Sequence, residues 1–298
     1  MRVLALHPDV LVATSAIWQT NCIVVRCPAD VHDGEALGGE EATGGAAEAD
    51  RRSLGEEGYE TFVVDSPILP DELDALPALL EQARFPAPSG LLATHGDWDH
   101  LLGPLAFAGV ALGCAQSTAE RMRATPGAAQ RELRAFDEQY LIERPRPLAL
   151  GAVQALPVPG RCGLGERELE LHPAAGHTED GMAVWIPWAR VLLAGDYLSS
   201  AEIPTLGDTP AAPHHAGHPL EAYLATLDRL RPLVEGAEHV VPGHGPVLDS
   251  ARARAVLEED LAYLHALATR GAEAELPAGR RTAFQRGLHR ENAARVGR

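Results

Sequence analysis

A polar segment rich in metal-binding side chains constrains this 298-residue chain more than any other part of its sequence. Its potential ligands are His95, Asp97, Asp99 and His100. They directly follow Gly90–Thr94, an apolar run that is typical of a buried strand. Imidazole and carboxylate together are the ligand set that zinc, iron and manganese take in proteins. Because the segment follows a strand end, its side chains can point in two directions and hold two adjacent metal ions. The simpler alternative is that the segment is a polar loop before a helix, with Asp99 as its N-cap.

Three further polar side chains follow glycine-containing turns at the ends of predicted strands. They are His177 within Ala175–Thr178, Asp196 after Leu193–Gly195, and His244 within Val240–Gly245. Each alone is a weak signal, because a single histidine after a strand is usually a surface or core residue. The strand ends of a sheet meet at one edge, so we expect these side chains to join residues 95–100 in one site.

The other apolar patterns indicate a layered α/β fold. Strands are predicted at Arg2–Leu6, Asn21–Arg26, Thr61–Asp65, Ala183–Ile186 and Val191–Ala194, with several short ones and turns at Pro157, Gly160 and Gly163 within Leu148–Leu171. Helices are predicted at Pro70–Arg84, Gln116–Tyr140 with a break near Pro126, Leu220–Leu233, Ala251–Thr269 and Arg280–Arg298. The order strand, helix, strand and polar turn favours helices layered on sheets.

The charge balance argues against two classes of partner. The formal net charge is -17, and all 25 basic residues are arginines. Residues 29–58 carry nine acidic and two basic side chains and almost no large apolar one, which predicts a flexible acidic insertion. Binding to nucleic acid or to an anionic membrane needs clustered cations, and the site region has none. We therefore expect a small-molecule substrate, no nucleic acid and no membrane, and leave a homodimer open.

The cysteines and the N-terminal residues predict a cytoplasmic protein. The four cysteines, Cys22, Cys27, Cys114 and Cys162, form no CxxC pair, which indicates reduced thiols. The apolar N-terminal stretch is interrupted by His7, Pro8 and Asp9, so it does not resemble a secretory signal. The uncharged stretch 101–119 contains glycine and proline and does not resemble a transmembrane helix.

The ordered series of motifs resembles the metallo-β-lactamase fold hydrolases. The series consists of Asp65, His95–His100 (HxDxDH), Gly176–Thr178 (GHT), Gly195–Asp196 (GD) and Pro242–Gly245 (PGHG), and it covers roughly residues 22–249. The resemblance implies an α/β fold of four layers, an αββα sandwich, over residues 1–250, followed by a C-terminal helical extension over 251–298. It is specific for the superfamily and unspecific for the substrate.

The resemblance also implies a role for each matching residue. His95, Asp97 and His177 would hold a first metal ion, Asp99, His100 and His244 a second, and Asp196 would bridge them. Asp65 would lie behind the first motif and orient its ligands. The implied cofactors are two divalent metal ions, with zinc favoured and iron or manganese as alternatives.

Two positions depart from the family pattern. The usual first motif has histidine where this chain has Asp97. A carboxylate there makes the site harder and favours iron or manganese over zinc, and flavodiiron members of the superfamily carry glutamate at this position. The alternative is that Asp97 faces away and leaves one tight and one weak metal site. The second departure is Thr178-Glu179-Asp180-Gly181, where many members have Thr-Pro-Gly-Ser, and we expect Asp180 to reshape that turn.

The implied metal pair predicts hydrolysis. Metal binding lowers the pKa of water from about 16 to about 7, so a metal-bound hydroxide would attack a carbonyl or phosphorus at neutral pH. Asp99 would orient the hydroxide and pass a proton to the leaving group. We expect a small ester, thioester or lactone as the substrate. The alternatives are a mononuclear iron oxidoreductase similar to persulfide dioxygenases, a β-lactamase or phosphodiesterase of the same fold, and a binding protein without enzymatic activity.

Four side chains are candidate substrate contacts. Trp98 lies between two ligands, Tyr197 follows Asp196, and His215 and His218 lie in the loop 199–219. The simpler interpretations are that Trp98 packs under the metal loop and that the loop histidines are solvated. The arginine-rich residues 280–290 belong to a helical tail that resembles those of thioester-cleaving relatives, and a packing or dimerisation helix is the alternative.

Overall fold

Two β-sheets that pack face to face form the centre of the fold. The computed structural model describes residues 1–30, 58–151, 153–207 and 218–297, so most of the acidic segment 29–58 and His215 lie outside the described residues. The first sheet has seven strands, in spatial as in chain order: β1 (Arg2–His7), β2 (Val10–Thr14), β3 (Asn21–Pro28), β4 (Tyr59–Val64), β5 (Gly90–Leu92), β6 (Leu112–Ala115) and β7 (Val153–Leu156). The six strands of the second sheet are β8 (Gly160–Leu164), β9 (Arg167–Pro173), β10 (Met182–Ile186), β11 (Val191–Gly195), β12 (His239–Pro242) and β13 (Leu248–Asp249), in the spatial order β13 to β8.

Helices cover the outer face of each sheet. The first sheet is antiparallel from β1 to β4 and parallel from β4 to β7, and parallel neighbours need crossover connections. The helices on its outer face are α1 (Pro70–Gln82), α2 (Gly103–Ala106), α3 (Gln116–Ala124) and α4 (Ala128–Tyr140). The helices on the second sheet are α5 (Pro219–Gly236), α6 (Ser250–Arg270) and α7 (Ala283–Val296). The predicted four-layer αββα sandwich is therefore confirmed.

Apolar side chains fill the spaces between the layers. Alternate residues of β2 and β3, such as Val12 and Ile23, point between the two sheets and meet Val184 and Leu193 of the second sheet. Burial of a side chain of this size stabilises the fold by about 1.5–3 kcal/mol. Within the described residues, no helix is both long enough and apolar enough to cross a membrane.

Several details of the secondary structure differ from the predictions. The strands β2, β6 and β13 and the short helix α2 went unpredicted, since each has five residues or fewer. Gly160 and Gly163, which we expected in turns, lie in the edge strand β8, and the turn comes at Gly165 with a φ of +55°. An edge strand tolerates glycine because its side chains pack on one neighbouring strand instead of two. The expected helix break is present, at residues 125–127 between α3 and α4.

The C-terminal helices share one core with the second sheet. Buried residues of α6, including Val256 and Leu264, pack with Leu227 of α5 and Val240 of β12. The division of the chain at residue 250 stays a prediction. The strand β12 and the helices after it therefore share one hydrophobic core.

Buried polar side chains of the C-terminal segment hold the loop that follows β11. Asn292 accepts a hydrogen bond from the Leu206 backbone N–H (2.9 Å) and donates one to the Pro204 carbonyl (2.7 Å). Gln285 accepts one from the Ile203 N–H (2.7 Å). Loop 199–207 is therefore fixed from behind by α7.

We expect Asn292→Ala to lower the free energy of unfolding by about 2–3 kcal/mol, because it leaves a buried N–H and a buried carbonyl of loop 199–207 without partners. Urea titration followed by circular dichroism measures this change. Arg290→Ala, an exposed position on the same helix, is the control and should change the stability by less than about 0.5 kcal/mol. Equal stability of the two variants would contradict the holding role of Asn292.

Candidate metal centre

The ends of five chain segments meet at one edge of the sandwich. Residues 93–100 follow β5, residues 174–181 connect β9 with β10, Asp196 follows β11 and residues 243–246 follow β12. Backbone hydrogen bonds join these segments: Met182 donates to Thr94 (2.7 Å), and Gly243 donates to Gly195 (2.6 Å). The β2–β3 hairpin is the fifth segment, where Asn21 donates to the Gly243 carbonyl (2.8 Å). The predicted convergence of the polar motifs is a consequence of these strand ends.

Asp196 lies at the centre of the side chains that converge there. Its carboxylate oxygens are 3.9 Å from His95 Nε2, 3.2 Å from His100 Nε2, 3.2 Å from His177 Nε2 and 3.4 Å from His244 Nε2. All four imidazoles thus turn the same nitrogen towards one carboxylate. Asp196 is therefore the carboxylate on which these four imidazoles converge.

The other two aspartates lie on opposite sides of Asp196. Asp97 Oδ2 is 3.6 Å from His95 Nε2 and 3.7 Å from His177 Nε2. Asp99 Oδ2 is 3.2 Å from His244 Nε2 and 3.7 Å from His100 Nε2. The potential ligand atoms of each group lie within 4.8 Å of one another. One group consists of His95, Asp97 and His177, and the other of Asp99, His100 and His244. These groups have the same members as the two ligand sets that the resemblance implies.

Hydrogen bonds at Nδ1 fix the orientation of the imidazoles. His100 Nδ1 is 3.0 Å from Asp65 Oδ2, and His177 Nδ1 is 3.2 Å from the Thr205 carbonyl. His244 Nδ1 is 3.3 Å from the carbonyl of Trp18. A proton on Nδ1 leaves the Nε2 lone pair free towards Asp196, as metal-binding histidines require.

Asp65 connects the first sheet to the site. It follows β4 with a φ of +57° and is 3% exposed. Its carboxylate accepts hydrogen bonds from the Thr94 N–H and the Thr94 hydroxyl, both 2.8 Å long, and contacts His100 Nδ1. The position behind the first motif that we predicted for Asp65 agrees with these contacts.

The buried polar atoms at the centre fit a metal ion. The atoms without a hydrogen-bond partner include Nε2 of His95, His100 and His177 and Oδ1 of Asp196. An unpaired buried donor or acceptor costs about 1–3 kcal/mol, and these four converge on a common space. Nitrogen and carboxylate oxygen atoms are ligands of zinc and of other divalent transition metals.

The charges of the site are strongly coupled. Burial alone would lower the pKa of His177, but the negative charges of Asp196 and Asp97 close to its ring raise that pKa to about 10. Burial likewise opposes the charge of Asp196, and the attraction of His244, His100 and His177 outweighs it and holds its pKa well below the usual range. The pKa of Asp99 is also lowered, since His100 and His244 outweigh its burial. The histidines therefore carry positive charge beside the carboxylates, and bound metal cations would replace their protons.

Gly243 is required by the close approach of β12 to Asp196. A Cβ atom at this position would lie 2.0 Å from Asp196 Oδ1 and 3.0 Å from His100 Cε1. The glycine before His244 in the PGHG motif therefore makes room for the central carboxylate.

The candidate substrate contacts make different interactions within the fold. Trp98 is 8% exposed and packs edge-on against Trp18, with ring centroids 5.7 Å apart. The Tyr197 hydroxyl accepts a hydrogen bond from the His177 N–H (3.0 Å) and so holds the turn that carries this histidine. His218 is the N-cap of α5 and accepts from the Leu220 N–H. Substrate contact by these residues stays a prediction, as it does for His215, which lies outside the described residues.

Sequence reasoning missed three side chains beside the centre. Arg121 on α3 donates hydrogen bonds to Asp97 Oδ1 (2.7 Å) and Asp180 Oδ1 (2.8 Å). Glu202 lines the cleft next to His177 and His244. Nothing local in the sequence marks either residue: Arg121 lies 24 residues after Asp97, and Glu202 follows Asp196 in a loop without a recognisable motif. The third, Ser199, donates to the His244 carbonyl (2.7 Å) from the loop held by α7.

Comparison with known proteins agrees with this geometry. The sequence model of the metallo-beta-lactamase superfamily matches residues 85–244, more than half of the chain. The chain belongs to the metallo-β-lactamase superfamily. Family membership and the two histidine–aspartate groups indicate divalent-metal binding.

Individual relatives of this metallo-β-lactamase superfamily member are distant. It is 32% identical over 78 residues to the type 2 metallo-β-lactamase of Bacillus sp. (strain 170). The matched segment covers 26% of this chain and 28% of that protein. The type 2 enzyme of Bacteroides fragilis is 31% identical over 70 residues, or 24% of this chain and 26% of the enzyme. The chain thus matches about a quarter of the length of these curated relatives.

Solved structures share the fold at low sequence identity. A β-lactamase domain protein from Burkholderia ambifaria superposes with a TM-score of 0.62 at 16% identity, covering 98% of this chain and 87% of the other. A metallo-β-lactamase family protein from Thermus thermophilus has a TM-score of 0.59 at 20% identity, covering 98% and 95%. Likeness at this level of identity supports the fold and leaves the substrate open.

We expect Gly243→Ala to abolish high-affinity metal binding, because the added methyl group occupies the space of Asp196 Oδ1. Metal analysis after dialysis and thermal unfolding with and without added zinc measure the effect. The control is Gly236→Ala, since a Cβ atom there meets no heavy atom within 4 Å. Full metal content in Gly243→Ala would contradict the close packing of β12 on the central carboxylate.

We expect zinc affinity to rise with pH from about 6.5 towards 10, with protons released on binding. The pKa of His177 is raised from 6.5 to about 10, so the protein without metal holds a proton there at neutral pH. That charge stabilises the metal-free fold fully below pH 6.5, and the contribution is lost as the pH rises through about 10. Isothermal titration calorimetry in two buffers of different ionisation enthalpy measures the released protons. A binding enthalpy independent of the buffer would contradict this prediction.

Proposed function

We propose that this chain is a binuclear metal-dependent hydrolase that acts on a small ester, thioester or lactone. The observation that carries the proposal is the placement of Asp196 within 4 Å of the Nε2 atoms of His95, His100, His177 and His244. One carboxylate with imidazoles on both sides suits two adjacent ions. Zinc is the metal that we favour, and iron and manganese are the alternatives.

Each side chain of the site has a part in the proposed reaction. One ion would be held by His95, Asp97 and His177, and the other by Asp99, His100 and His244. Asp196 would bind both ions. The two ions would supply positive charge that lowers the pKa of water and polarises the substrate carbonyl. Asp99 is 7% exposed, and its lowered pKa keeps the carboxylate ionised. In this form it would accept a proton from the attacking water. The same group would pass the proton to the departing alcohol or thiol.

A cleft beside the centre would receive the substrate. It is lined by His177, Asp196, Glu202, Thr205 and His244, among others. The backbone of loop 199–207, which forms one wall, is fixed by Asn292 and Gln285.

A β-lactam is the second candidate substrate. The curated relatives with short matching segments are described as type 2 metallo-β-lactamases. A lactam carbonyl would use the same ligands and the same proton acceptor as an ester. A cytoplasmic location, which we propose for this chain, favours the ester, thioester or lactone.

Metal analysis of protein purified without added metal tests the proposal. We expect two equivalents of a divalent metal and hydrolysis of chromogenic esters, thioesters or lactones. A chromogenic cephalosporin tests the β-lactam candidate in the same assay. One equivalent of iron with oxygen uptake on persulfides would replace the proposal by the mononuclear oxidoreductase.

We expect Asp196→Ala to lower kcat/KM by at least about a thousandfold and to reduce the bound metal below two equivalents, because it removes the ligand shared by both ions. Asp228→Ala is the matched control, since Asp228 is exposed on α5. Metal content and kinetics of the two variants are compared at one pH. Wild-type metal content in Asp196→Ala would refute the bridging role.

A further inference from the structure

Arg121 joins the two positions at which this chain departs from the family pattern. One guanidinium nitrogen, Nη2, donates to Asp97 Oδ1 (2.7 Å), and the other, Nη1, donates to Asp180 Oδ1 (2.8 Å). Asp180 Oδ2 in turn accepts a hydrogen bond from the Gly96 N–H (3.0 Å). The loop with His95 and Asp97 is thereby tied to the turn that follows His177. The two departures form one connected unit.

The two oxygens of Asp97 have different partners. Oδ2 faces His95 Nε2 at 3.6 Å and His177 Nε2 at 3.7 Å, whereas Oδ1 faces Arg121. The forked guanidinium is anchored by Asp180, whose side chain is fully buried. Asp97 therefore presents one oxygen to the histidines and cannot turn the other there without breaking a charged hydrogen bond.

Charge compensation follows from the same contacts. A ligating histidine is neutral, and an aspartate in its place adds one negative charge. Arg121 lies 2.7 Å from Asp97 and 2.8 Å from Asp180, so its single positive charge offsets one of the two negative charges that these carboxylates add. Without Arg121, the carboxylates of Asp97 and Asp180 would face the same region and lack the guanidinium that both contact.

We propose that Arg121 is a positioning residue that keeps Asp97 a one-oxygen ligand, with part of its charge offset, and thereby sets the metal preference of the site towards zinc and away from manganese. Zinc favours few ligands with nitrogen among them, whereas manganese favours more oxygen ligands in a larger coordination shell. A freed carboxylate could offer two oxygens and a full charge, which suits manganese better. This inference rests on the proposed binuclear site. It also reverses the preference that Asp97 alone predicts.

The test is the ratio of zinc affinity to manganese affinity, measured by competition with a chromogenic chelator on metal-free protein. We expect Arg121→Met to lower this ratio by at least about tenfold, the lower range for losing a partner of a metal ligand. Arg123→Met is the matched control, because Arg123 is exposed on the same helix. An unchanged ratio in Arg121→Met would overturn the inference.

A second set of variants separates positioning from general damage. Arg121→Met leaves the buried Asp180 without its cation, so the same ratio is also measured in Arg121→Met with Asp180→Asn, where a neutral amide replaces that carboxylate. We expect the lowered ratio there too. In an Asp97→His background, Arg121→Met should leave the ratio unchanged, since no carboxylate remains to be held. An equal drop in both backgrounds would mean that Arg121 acts through the fold and would overturn the inference.

The binding ratio needs no turnover. If the wild-type protein binds both metals and hydrolyses none of the tested substrates, the proposed function fails and the role of Arg121 is still decided by the ratio. If the wild-type protein binds neither zinc nor manganese, both the proposed function and the inference about Arg121 are wrong.

Discussion

The site depends on one carboxylate that is surrounded by imidazole nitrogens. Asp196 stands where β11 ends, and four histidines from three other segments turn Nε2 towards it. Such a concentration of unpaired buried nitrogen and oxygen atoms is unfavourable in a protein without a bound cation. The sandwich maintains it because the segments are held by their own backbone hydrogen bonds, for example from Gly243 to Gly195.

Three of the four imidazoles are oriented by segments from two different layers of the fold. Asp65, at the end of a first-sheet strand, contacts His100, and the hairpin of the same sheet places the Trp18 carbonyl against His244. The C-terminal helix acts through loop 199–207, whose Thr205 carbonyl contacts His177. Segments distant in sequence therefore determine which nitrogen of each histidine is free, and the chemistry of the centre depends on the packing of all four layers.

Aspartate in place of the usual histidine changes more than one ligand. Asp97 requires a cation beside it, Arg121 supplies it from α3, and Asp180 fixes the arginine in turn. From sequence, Asp97 favoured a harder metal and Asp180 was expected only to reshape a turn. Their connection through Arg121 leads to the opposite expectation for the metal. A single substitution at a ligand position is thus understood together with the charges that surround it.

The sequence by itself determined the family, the layered α/β class and the residues that converge, because ligands that follow buried strands meet at one edge of a sheet. The short motifs carry this information locally, in His95–His100 and in the turns around His177, Asp196 and His244. Only the tertiary structure decided what surrounds them. Arg121 contacts Asp97 from a helix, Asn292 holds loop 199–207 from the last helix, and Glu202 enters the cleft from that loop. No local pattern of hydrophobic spacing or turn residues encodes such contacts. Their positions follow from how the helices pack on the two sheets.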